Sequence, residues 1–189
     1  MIIIPIGVDC RITFALRDNQ MRTCSWPFDW VVTYNGVTDI LKDNFANYLP
    51  KDKNLICNNT YFIHNTFPND TETMQRRIQR FLYLLNTTKD EIIFFRSGHS
   101  IKHHKESLDF NVTLKNDLLD VEELHDYLKT KYPHLKFKII VALTCGQCFN
   151  KETKYISQRE NIYICNIATT NTEEEDRNFN QLFHHIFLR

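Results

Sequence analysis

Glycine is scarce: the 189-residue chain contains only 4. That scarcity leaves no phosphate-binding glycine loop and no dinucleotide fingerprint, which disfavours nucleotide-dependent chemistry. No His-Glu-x-x-His motif occurs either. Net charge is also missing, because 23 basic residues balance 23 acidic ones. A balanced chain has no general electrostatic grip on nucleic acid or on an anionic membrane. Long apolar runs are absent, and none approaches the roughly 20 residues that cross a bilayer. The opening Met1-Ile2-Ile3-Ile4-Pro5-Ile6-Gly7 has no basic leader, so the expectation is a cytoplasmic, reducing setting without export. With no repeat, linker or low-complexity block, one domain over residues 1–189 is expected.

What is present is a good core. Hydrophobic residues make up 42% and aromatics 13% of the chain, enough to fold without disulfide staples. The six cysteines are therefore read as thiols. Cys145-Gly146-Gln147-Cys148 has the spacing of a redox or metal half-site, but a closed zinc site needs four ligands. Residues 149–160 make a poor helix for a thioredoxin-type pair. No metal and no cofactor is expected.

The pattern along the chain alternates strands and helices. Ile2–Ile6 is an apolar run typical of a strand buried on both faces. Ile12, Ala15 and Leu16 then predict a short helix to about Arg17. A loop with Trp26, Pro27, Phe28 and Trp30 follows, then a second short helix around Val37, Ile40 and Leu41. Tyr61–Ile63 is a weak strand candidate. Met74, Ile78, Phe81, Leu82 and Leu85 mark the clearest amphipathic helix. Further strands are expected at Ile92–Phe95, Phe137–Leu143 and Asn161–Ile167. Helices are expected from Asp120 and over Glu173–Phe187. Together these imply an α/β fold: a mostly parallel sheet of about five strands, helices on both faces, of flavodoxin or Rossmann-like build.

In such sheets ligands bind beyond the carboxyl ends of the strands. Cys10, His64, Arg96, His99, Cys145 and Asn166 all fall there if the sheet is parallel. Cys10 is the leading nucleophile candidate, since a helix N-terminus stabilises a thiolate. Asp9 opposes that unless it caps the helix. The bland alternative is a small buried hydrophobe. His64 is either the proton-transfer partner of Cys10 or a hydrogen-bonded strand-end histidine. His103-His104 and His184-His185 are adjacent pairs whose members face different ways.

Several pieces, in order, carry a resemblance. They are Ile6-Gly7-x-x-Cys10, Leu16-Arg17, Arg22, Pro27-Phe28-Asp29-Trp30, Asn44-Phe45, Phe62-x-His64, Arg76-Arg77-x-x-Arg80-Phe81 and Ile93-Phe94-x-Arg96. Over residues 2 to 100 the chain resembles a family of bacterial and viral proteins known as papain-like cysteine peptidases. The resemblance implies Cys10 as nucleophile, His64 as its partner and Asp29 as an orienting carboxylate. Pro-Phe-Asp-Trp also has a packing reading, in which Asp29 caps backbone N–H groups and the aromatics plug the core. The resemblance further implies an α+β papain-like build as the alternative fold.

The expected activity is a cysteine-dependent hydrolase or acyl-transferase acting on a peptide, amide or ester, with Arg96 and Trp30 binding substrate. Two rivals stand beside it. One is a non-catalytic binding module on the same scaffold. The other is a flavodoxin-like ester or glycan hydrolase, with His184 or His185 beside Cys10.

Overall fold

The computed structural model describes residues 1–33, 36–51, 53, 55–99, 117–145, 159–168 and 172–188. Four strands form the main sheet: β1 (Ile2–Pro5), β5 (Ile92–His99), β6 (Phe137–Cys145) and β7 (Ile162–Ala168). Their order is β1-β5-β6-β7 and every pairing is parallel. Pro5 is tolerated because β1 is an edge strand, where a missing N–H costs no ladder bond on the open side.

Alternation along these strands divides the core in two. On one face Ile4, Phe94, Ile139 and Val141 pack against helix α3 (Thr71–Thr87), helix α4 (Asp117–Lys131) and helix α2 (Val37–Lys42). On the other, Ile3, Ile93, Phe95 and Ile140 pack against α1 (Arg11–Asp18) and α5 (Thr172–Phe187). Helices on both faces of a parallel sheet are what the two-sided apolar strands implied.

The fifth strand is not in that sheet. β2 (Val32–Thr33), β3 (Ile56–Cys57) and β4 (Thr60–Tyr61) form a separate antiparallel sheet of order β2-β4-β3. The cause is local. Asn58 and Asn59 both adopt positive φ, 43° and 58°, and link Cys57 to its partner Thr60. A two-residue loop with positive φ at both positions makes a tight antiparallel hairpin. The papain-like alternative does not describe the main sheet either, since Cys10 follows the edge strand of a parallel sheet.

Two junctions hold the layers in place. After β1 the chain stays on β5: Val8 N donates to Ser97 O at 2.8 Å and Ser97 N donates to Gly7 O at 2.8 Å. Thr33 N then donates to Val8 O at 2.7 Å, which docks the small sheet on this extension. The second junction is Asp120. Expected to open its own helix, it lies one turn inside α4 and caps α2 instead. Its carboxylate accepts Gly36 N at 3.1 Å, Val37 N at 3.3 Å and Thr38 N at 3.4 Å. A six-residue helix is too short to stand on propensity alone, so this tertiary cap is what secures it.

Among the described residues no helix is long and apolar enough to cross a membrane.

Asp120→Ala leaves three buried N–H groups without an acceptor, and a loss of about 2 kcal/mol in urea unfolding is expected. Gly7→Ala is expected to cost more, about 3 kcal/mol. Gly7 has φ +93°, and an added Cβ would meet Thr33 O at 2.7 Å and Arg96 Nη1 at 2.8 Å. The same unfolding midpoint checks both.

Candidate active site

Cys10 is the N-cap residue of α1. It sits at the carboxyl rim of the main sheet because β1 ends at Pro5 and the chain turns through Gly7. Asp9 secures the turn: its Oδ1 accepts Arg11 N at 2.9 Å and Ser97 Oγ at 3.2 Å. Asp9 is thus the cap of the helix, and Cys10 Sγ makes no capping bond.

The thiol is 8% exposed and lines a cavity of about 680 Å³. His64 and His184 line the same cavity. Helix α1 contributes Arg11, Phe14, Ala15 and Asp18, one continuous face at a period of 3.6 residues. Helix α5 contributes Asp176, Asn180 and His184, spaced four apart. The small sheet and the turn after it contribute Val32, Ile63 and His64.

The two histidines stand differently. Arg11 Nε lies 3.4 Å from Asp176 Oδ1, so the first turn of α1 meets the second turn of α5 beside Cys10. Eight residues on, His184 is on the order of 12 Å further along the α5 axis. His64 instead follows the small sheet, and its ring centroid lies 6.1 Å from that of Trp30. Trp30 in turn meets the Phe14 ring edge-on at 4.9 Å, one helical turn from Cys10.

Electrostatics at rest favour the thiol. Burial pushes Cys10 up to about 11 from the ordinary 9.0, and the Asp9 and Asp29 carboxylates push the same way. At pH 7 the thiolate fraction is then on the order of one in ten thousand. The helix N-terminus does not offset this, although its dipole favours the anion.

Asp29 is not where an orienting carboxylate would act. It is 1% exposed. Its Oδ2 accepts Arg22 Nη2 at 2.8 Å, Arg22 Nε at 3.2 Å and Trp26 N at 3.1 Å. None of these partners is His64. Burial raises its carboxyl, while the hydrogen bonds from Arg22 and Trp26 pull it down. Asp29 therefore clamps the Trp26–Trp30 turn, the packing reading of Pro-Phe-Asp-Trp. The aromatics do plug the core: Phe28 lies 5.7 Å from both Phe45 and Tyr48.

Arg96 is also not at a ligand surface. It is fully buried inside β5, with Nη1 donating to Ile6 O at 2.6 Å and Nη2 to Thr33 O at 3.4 Å. The strand runs on to His99, beyond the Phe95 end read from the apolar run, so Arg96 falls within the sheet. Trp30 is half-buried and does not itself line the cavity, though its ring lies against Phe14 and His64, which do. His185 lines a different, open depression on α5 with Arg177 and Gln181. His103, His104 and Cys148 lie outside the described residues. Among the described residues no group of three or more histidine, cysteine or acidic side chains could hold a metal ion.

The sequence reading missed Arg11, Phe14, Asp176 and Asn180. The signal for Asp176 and Asn180 was the polar face of the last helix, where Asp176, Asn180 and His184 recur every fourth residue.

No family model, no curated protein and no solved structure matches the chain.

A pH series of iodoacetamide alkylation, read at the Cys10 peptide by mass spectrometry, is expected to have its midpoint near 11. Asp9→Asn is expected to lower that midpoint, because it removes the second-largest cause of the shift. The sign for folding follows. The unfolded thiol ionises first, so this group's contribution to stability is lost as pH rises from 9.0 toward 11.

Proposed function

We propose that the protein is a cysteine-dependent hydrolase or acyl-transferase, working at the cavity that Cys10 shares with His64. The observation that carries this reading is the pairing of a thiol at a helix N-terminus with an exposed imidazole on one cavity wall. Cys10 Sγ attacks the carbonyl carbon of a peptide, amide or ester. Its proton passes to the His64 imidazole as the S–C bond forms. The imidazolium then protonates the leaving group, and the acyl-enzyme passes its acyl group to water or to another acceptor. Backbone N–H groups of the first α1 turn after Arg11, whose own N–H is held by Asp9, are the donors for the oxyanion. The raised Cys10 pKa means that the thiolate is made during attack rather than stored, so the base is indispensable. The order of motifs over residues 2 to 100 that resembles the papain-like cysteine peptidases supports the same assignment of Cys10 and His64.

A second reading has its own support. His184 lines the same cavity, which fits the ester or glycan hydrolase in which a histidine near the chain's end serves Cys10.

The experiment is intact-mass detection of an acyl adduct with p-nitrophenyl esters, alongside release of nitrophenolate. The adduct should form on the native protein and vanish in Cys10→Ala. His64→Ala should slow acylation by about 100-fold or more, with His184→Ala changing it little. The opposite ranking moves the base to His184. Unchanged turnover in Cys10→Ala would refute both readings.

A further inference from the structure

Exposed apolar residues are common and mean little singly. Phe14 and Ile63 are not single. They are 40% and 46% exposed, and both line the cavity that holds Cys10. Ala15 and Val32 line it with them. The α5 side of the same cavity is polar, formed by Asp176, Asn180 and His184. Arg11, Asp18 and Asn19 flank Phe14 on the α1 side, so the apolar patch is set among polar groups, as in many small-ligand sites.

The apolar wall lies one helical turn from Cys10. Phe14 follows Cys10 by four residues, so the two share a face about 6 Å apart along the axis. Helical side chains lean back toward the N-terminus, which brings the Phe14 ring toward Cys10. That separation suits the side chain next to a carbonyl, not a remote part of the substrate.

The wall is also held rigid. The Phe14 ring meets Trp30 edge-on, at 89° between planes, and the Arg17 guanidinium carbon lies 4.8 Å from its centroid. Trp30 keeps its place at φ 63°, a costly conformation for a bulky residue that only a constraining environment maintains. Rigid aromatic anchors bind with little loss of conformational entropy.

We infer that the cavity selects substrates with an apolar, phenyl-sized group next to the carbonyl attacked by Cys10, and that Phe14 and Ile63 read this group. The inference deepens the hydrolase reading and rests on it for the word substrate, whereas the apolar subsite itself does not depend on turnover.

The test uses two alkylating probes on the native protein, iodoacetamide and N-benzyl-iodoacetamide. Second-order rates at Cys10 are measured by peptide mapping at one alkaline pH, and glutathione gives the intrinsic ratio of the two probes. The benzyl probe should gain about tenfold over that ratio on the native protein. Phe14→Ala and Ile63→Ser should each remove most of the gain, with Phe14→Leu keeping part of it. Tyr83→Ser, a change at a 71% exposed ring on α3 outside the cavity, should leave the gain intact. A native ratio equal to that of glutathione overturns the subsite. So does a gain that survives both cavity substitutions. A tenfold gain with no acyl adduct from any ester supports the subsite and rejects catalysis, so the two failures are separable.

Discussion

The guanidinium of Arg96 sits where the two sheets meet, and the position of everything around Cys10 depends on it. It holds Ile6 O, at the end of β1, and Thr33 O, in the small sheet, from one side chain rooted in β5. Burying a cation costs several kcal/mol unless its donors are matched, so the pairing geometry is strongly constrained. Gly7 completes the junction, because no Cβ fits between Thr33 O and Arg96 Nη1. With the small sheet docked there, Val32, Ile63 and His64 close one side of the Cys10 cavity. Arg96 matters to the site, then, as a joist beneath it. Its side chain does not line the cavity.

The sequence made the layers legible and the junctions illegible, for a physical reason. Ile92–Phe95 and Phe137–Leu143 read as buried strands because burial on both faces demands a continuous apolar run. The α3 face was equally plain, since Met74, Ile78, Phe81 and Leu85 are the residues that the core takes from it. Arg96 broke the apolar run and so was read as a loop residue at the rim. A charge inside a strand is invisible to periodicity, because its partners are carbonyls distant in sequence. Asp120 misled in the same way, as a capping residue whose helix lies about 80 residues earlier. The Asn58-Asn59 pair was a local signal for a hairpin, and it accounts for the strand that left the main sheet. Of the site, Cys10 and His64 were legible as residues, while the α1 and α5 faces that surround them needed coordinates.

Electrostatics and geometry pull in different directions at Cys10. The helix N-terminus is a place for an anion, yet desolvation and two carboxylates outweigh it. Asp9 is required for the turn, since it binds both Arg11 N and Ser97 Oγ. Removing the side chain would loosen the helix start, whereas Asp9→Asn removes the charge and keeps an oxygen that accepts both bonds. Burial and the two carboxylates favour the neutral thiol, which protects the sulfur from indiscriminate reaction at neutral pH. In the proposed mechanism, reactivity depends on what enters the cavity that Cys10 and His64 both line.

That dependence ties the aromatic turn to the chemistry. Asp29 and Arg22 fix the Trp26–Trp30 turn from below, and Arg22 also reaches the Trp30 ring, with its guanidinium carbon 5.5 Å from the centroid. Trp30 then contacts Phe14 on one side and His64 on the other. A group pressed against Phe14 therefore bears on the same aromatic cluster that positions the imidazole. In the proposed mechanism recognition and proton transfer would share this one support, a turn clamped by a buried carboxylate and an arginine. Loosening it would move His64 and the Phe14 ring together, so the proposed mechanism couples binding selectivity and reactivity at Cys10 through Trp30.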